Sequence, residues 1–158
     1  MKRYVKAYDY PQPKYPWGSP EREAIMQEHA QELQKKYPDA RIQPLRGCIY
    51  AISPEIGVEM YVVNDWGHCG ILYGGFFDHV YDYLQDGGDI EAVTFTDKLG
   101  NVYTPYKNRK SINVTFPNGS SIDLPRNKAA AMYLQNNKQG LYSPTFWGDH
   151  PPKTRGEE

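Results

Sequence analysis

Asn118-Gly119 stands between two short β-rich segments, Ser111 to Phe116 and Ser120 to Leu124. An Asn-Gly pair accepts the positive φ angles that a tight antiparallel connection needs, so the two segments are expected to form a hairpin. A second pair, Ile90 to Thr96 and Asn101 to Tyr106, flanks Asp97-Lys98-Leu99-Gly100 and reads as a second hairpin. Upstream, Gly47 to Ile52 and Val58 to Asn64 are joined by the turn-rich Ser53-Pro54-Glu55-Ile56-Gly57, and Ile71-Leu72-Tyr73 follows as a short strand. Their β-branched and aromatic content suits a pleated sheet with a buried face.

Three helices are expected beside these strands. Ser19-Pro20-Glu21 supplies an N-cap, a proline at the first helical position and an acid in the first turn, and Pro38 stops the helix near Tyr37. Its apolar stripe is Ile25, Met26, Ala30, Leu33 and Tyr37; His29 falls at the boundary and is given no chemistry. Gly74-Gly75 opens a second helix with Phe76, Phe77, Val80, Tyr81 and Leu84 on one face, and Gly87-Gly88 closes it. A third runs from Asn127 to about Asn137.

The pattern predicts an α+β fold, with an antiparallel sheet of about five or six strands, including the two hairpins of the C-terminal half, covered by two or three helices. With 158 residues there is material for one domain, assigned to residues 1–145. Its first 18 residues form an arm in which Tyr4, Tyr8, Tyr10, Tyr15 and Trp17 alternate with Pro11, Pro13 and Pro16, with a short strand at Arg3 to Tyr8. Residues 146–158 read as a flexible tail.

Charge is segregated along the chain. Gly47 to Asp97 holds nine carboxylates and neither lysine nor arginine, whereas Lys98 to Lys138 holds seven bases and one acid, Asp123. Such asymmetry bears on partners more than on fold, and the two segments would neutralise each other if the fold interleaves them. Within the acidic stretch Asp78, Asp82 and Asp86 recur at i, i+4, i+8, a row in which like charges repel by a few tenths of a kcal/mol per pair. The plain reading is a solvated face; the sharper one is a surface awaiting a basic partner. On the sharper reading, reversing the row should leave stability equal or better.

Catalytic patterns are weak. Asp65-Trp66-Gly67-His68-Cys69-Gly70 places acid, base and nucleophile close in sequence, but neighbouring side chains on an extended backbone point to opposite faces, so His68 is poorly placed to activate Cys69. His79 and Asp82 could share a helix face, yet no HExxH, paired-cysteine or phosphate-loop spacing accompanies them, and no cofactor or metal is expected. Two cysteines, Cys48 and Cys69, make no disulfide framework; free thiols, no apolar leader and no membrane span give the expectation of a cytoplasmic protein.

The leading functional expectation is a non-catalytic binding protein, an inhibitor or accessory protein of a kind that would suit a virus or mobile element. Its acidic face would engage a basic protein surface through Asp78, Asp82 and Asp86, with Asp65 and Trp66. The alternative is a binder of nucleotide or nucleic acid through the basic section, where Lys107, Arg109 and Lys110 lie between the hairpins near Tyr106 and Arg126. The third is a small hydrolase using His68, Cys69 and Asp65.

Overall fold

The computed structural model describes residues 12–137. The expected strand at Arg3 to Tyr8 and the expected tail lie outside them.

Helix α1 (Pro20–Lys36) starts where Ser19 accepts the Arg22 amide at 3.1 Å. It is followed by a four-stranded antiparallel meander of β1 (Arg41–Leu45), β2 (Cys48–Ser53), β3 (Gly57–Val63) and β4 (Cys69–Leu72), in that spatial order. A second meander holds β5 (Phe95–Thr96), β6 (Val102–Pro105), β7 (Ile112–Thr115) and β8 (Ser121–Leu124). Between the meanders lie α2 (Val80–Gln85) and a 3-10 helix (Ile90–Val93), and α3 (Arg126–Asn137) closes the described chain.

The architecture is α+β, but the single sheet of five or six strands is corrected to two separate four-stranded sheets. Two local features shape the edges of these sheets. The strand β1 contains Pro44, which removes a ladder donor and suits only an edge position, and β1 is an edge. The strand expected over Ile90 to Thr96 is mostly replaced by the 3-10 helix, because Asp89 accepts the Glu91 amide and the Thr94 hydroxyl donates to the Ile90 carbonyl. Only Phe95 and Thr96 remain to pair with β6.

Strand alternation gives the first sheet two buried faces. Ile49, Ala51, Tyr61 and Val63 point to α1 and meet Met26, Ala30 and Leu33. Tyr50, Ile52 and Val58 point the other way, into a larger core with α2, α3 and the second sheet. Its centre is aromatic: Phe76 lies 4.8 Å from Tyr133 and 5.0 Å from Phe77 between ring centroids, and Tyr103 meets Tyr133 edge-on at 5.2 Å. The β2–β3 turn must be glycine at Gly57, whose φ is +72° and whose absent Cβ would press on the Phe76 carbonyl and ring.

Buried polarity is concentrated at Asp97. One carboxylate oxygen accepts from the amides of Leu99 and Asn101, and the other from Tyr103, Asn101 and Asn136 side chains at 2.7–3.0 Å. Burial alone would raise its pKa, but the bonds from Asn136, Tyr103 and Asn101 hold it below the ordinary value. Asp97 thereby ties the β5–β6 turn to α3.

Candidate functional site

The second helix is shorter than expected. The Phe76 carbonyl accepts the Val58 amide of β3 at 3.2 Å, the Val80 amide turns back to the Phe77 carbonyl at 3.3 Å, and residues 76–79 form turns. Asp78 therefore precedes α2, Asp82 lies within it and Asp86 caps its C-terminus. All three are half-buried, and each carboxylate has a local partner. Asp78 accepts the Gly75 amide at 2.5 Å, Asp82 lies 3.3 Å from the His79 Nδ1, and Asp86 accepts the Tyr50 hydroxyl at 2.6 Å. Among the described residues no lysine or arginine forms an ion pair with any of them; the ion pairs are Arg22–Asp65, Lys35–Glu32, His79–Asp82 and Arg109–Asp123.

The acidic and basic sections do come together, through groups other than their charges. Gln85 donates to the Lys107 carbonyl at 2.6 Å, Lys110 lies over the Tyr81 ring and Arg126 donates to the Asp78 carbonyl at 2.8 Å. Arg109 stacks on Tyr106 with its guanidinium carbon 4.0 Å from the ring centroid, and both residues reach Asp123. Arg109, Tyr106, Lys110 and Arg126 thus each have a partner within the chain, although Lys107, Arg109 and Lys110 are all exposed.

Asp65 and Trp66 lie in the β3–β4 turn, at the start of β4, whereas the Asp78–Asp86 group adjoins its other end through His79, whose Nε2 is 2.7 Å from the Leu72 carbonyl. Asp65 has a structural task. Its carboxylate meets Arg22 at 2.6 Å, and the same guanidinium donates to the carbonyls of Tyr15 and Val63. The guanidinium carbon also lies 4.9 Å from the centre of the Trp17 ring. Sequence reasoning overlooked Arg22, although it falls four residues before Met26 on the buried stripe, where a lone cation demands a carboxylate from elsewhere.

His68 is exposed, and Cys69 turns to the α1 side of the sheet with Ile71, as alternation requires. There it borders an open cleft of about 420 Å³ with His29, Glu32, Leu33, Lys36 and Tyr61. His29 spends Nε2 on the Gly67 carbonyl at 2.8 Å. Burial pushes the Cys69 thiol up, away from the thiolate a nucleophile needs. Cys48 is raised by burial first, then by Asp86 and Asp82. No group of three or more His, Cys, Asp and Glu side chains converges among the described residues, and no helix among them is long and apolar enough to cross a membrane.

Exposed apolar side chains lie at both ends of β4 and on its neighbour: Trp66 in the preceding turn is 44% exposed, Leu72 48% and Tyr73 just beyond it 86%, and Val62 on β3 is also exposed. Compared with known proteins, the chain matches no family model, no curated protein and no solved structure.

Proposed function

We propose that this chain is a non-catalytic binding protein that engages a basic surface of another protein, as an inhibitor or accessory factor would, through Asp78, Asp82 and Asp86. The observation that carries this reading is the absence, among the described residues, of any lysine or arginine ion-paired to these three carboxylates, although Lys110 and Arg126 stand close enough to touch Tyr81 and the Asp78 backbone. Their hydrogen-bond partners are a backbone amide, a tyrosine and a histidine, which fix the carboxylates in place without supplying permanent positive charge. A fixed acidic bank, with no lysine or arginine ion-paired to it among the described residues and with Leu72 and Tyr73 exposed nearby, suits a partner that brings both charge and apolar area.

Affinity capture from a cellular lysate tests the reading when the wild-type chain and the Asp78→Asn/Asp82→Asn/Asp86→Asn variant are compared in parallel. The expected result is a basic protein retained by the wild type and lost from the variant. Equal recovery on a folded variant contradicts the proposal.

A further inference from the structure

We infer that the outer edge of β4 is a strand-addition site for an extended basic segment of the partner, in which apolar residues alternate with lysine or arginine. The inference rests on the binding function proposed above and specifies how the partner docks.

The backbone argument comes from the phase of the β3–β4 ladder. Asn64 donates to the His68 carbonyl, and Val62 faces Gly70 and Met60 faces Leu72 in the same register. Alternation in an antiparallel pair then gives Gly70 the bonds to β3 and turns the amides and carbonyls of Cys69 and Ile71 outward. The Val58 amide, in phase with Val62 and Met60, points to the same side and finds the Phe76 carbonyl. Among the described residues no strand pairs with the outer side of β4, which ends the order β1-β2-β3-β4. Open donors and acceptors of this kind are a template for another chain.

The two sides of that edge differ in chemistry. On the α1 side, residues of an added strand opposite Cys69 and Ile71 would enter the 420 Å³ cleft, whose buried walls are Leu33 and Tyr61. These positions call for apolar side chains. On the other side, residues opposite Gly70 and Leu72 would pass Tyr73 and approach Asp82, which His79 links to the Leu72 carbonyl. Asp82 keeps 48% of its side chain exposed, and Asp78 stands beside it at the Gly75 amide. These positions call for lysine or arginine, with aliphatic stems that cover Leu72 and Tyr73. Exposed Trp66 and Tyr73 bracket the edge.

The test uses the full chain and a capped heptapeptide, Lys-Val-Lys-Val-Lys-Val-Lys, with binding followed by fluorescence anisotropy and calorimetry. In antiparallel addition the valine amides face β4 and the lysine amides face away. N-methylation of the valines should therefore weaken binding by tenfold or more, and N-methylation of the flanking lysines should change it less than threefold. The Asp82→Lys variant should weaken the unmodified peptide by about tenfold, with the difference shrinking at high salt. Equal binding of the two methylated peptides, with the Asp82 effect intact, overturns strand addition and leaves the acidic binding face standing. Indifference to Asp82→Lys together with equal methylation effects removes both. No detectable binding of the unmodified peptide overturns the inference, as does a dimer of the full chain that the peptide cannot displace, which would assign the edge to a second copy.

Discussion

Tyr50, fully buried on β2, donates its hydroxyl to Asp86 at the end of α2 across 2.6 Å. The bond joins the first sheet to the acidic bank and holds one of its carboxylates in a fixed direction. Hydrogen bonds to charged groups contribute more than neutral ones, and Asp86 keeps some access to water, so Tyr50→Phe should lower stability by about 1–2 kcal/mol. A urea titration with an unchanged slope and a lowered midpoint is the expected result. This bond also revises the view of charge reversal that sequence alone suggests. Replacing Asp86 by lysine removes an acceptor from a buried phenol, so the reversal costs stability, and the isosteric asparagine is the cleaner probe.

Arg22 and Asp65 form a pair in which the cation is buried and the acid half-exposed. Removing the acid strands a buried guanidinium that retains two carbonyl acceptors and the Trp17 ring but no counter-charge. Asp65→Asn should therefore cost about 1–3 kcal/mol, and the double variant Arg22→Met/Asp65→Asn should cost less than the sum of the singles. Thermal melts of the four proteins measure this coupling. A partner-binding defect in Asp65→Asn without loss of stability would reverse the assignment.

Much of the fold was legible because the signals were local. Ser19 and Pro20 begin α1 as capping chemistry dictates, and Asn118-Gly119 turns β7 into β8, with Gly119 at φ +93°. The shortened acidic helix involves a long-range bond, whereas the lost strand over Ile90 to Thr96 traces to local bonds of Asp89 and Thr94. The Phe76 carbonyl is bonded to the Val58 amide and Val80 turns back to Phe77 where the first turn of the acidic helix is expected, and no periodicity within 74–88 could reveal the contact with β3. The site was legible only in part: the spacing of Asp78, Asp82 and Asp86 and the i,i+3 pairing of His79 with Asp82 are written in the sequence, but the Tyr50 partner of Asp86, the Arg22–Asp65 pair and the open edge of β4 depend on which strands meet. Arg22 had a readable signal that was passed over, a charge on an otherwise apolar stripe.

Acid should act on the fold through Asp97. Its folded pKa lies below the ordinary carboxylate value, so its ionised form stabilises the protein above the unfolded pKa, and that contribution disappears as pH falls through the folded pKa. The urea midpoint should fall as the pH drops below about 4. Asp97→Asn should lower stability at neutral pH by about 2 kcal/mol, because an amide cannot accept all five bonds, and should flatten the acid limb. An acid limb as steep as that of the wild type would place its origin elsewhere.

Thiol reactivity distinguishes the two cysteines. Burial raises both, and Asp86 and Asp82 raise Cys48 further. The variant Asp82→Asn/Asp86→Asn should therefore speed modification of Cys48 by an aromatic disulfide near neutral pH and leave Cys69 unchanged. Mass-resolved labelling rates give the answer, and equal acceleration of both thiols would point to general loosening.

The acidic bank itself is tested most directly by calorimetric titration of the captured basic partner into the wild-type chain and into Asp78→Asn/Asp82→Asn/Asp86→Asn, at low and high ionic strength, with a melting curve of each protein. Three rim charges at about 0.5–1 kcal/mol each amount to a loss of roughly 10–100-fold in affinity, and the two proteins should converge as salt screens the interaction. The melting curves should remain close, since asparagine keeps an acceptor oxygen at each position. Equal affinity at low salt in a folded variant would contradict a role for these carboxylates in binding.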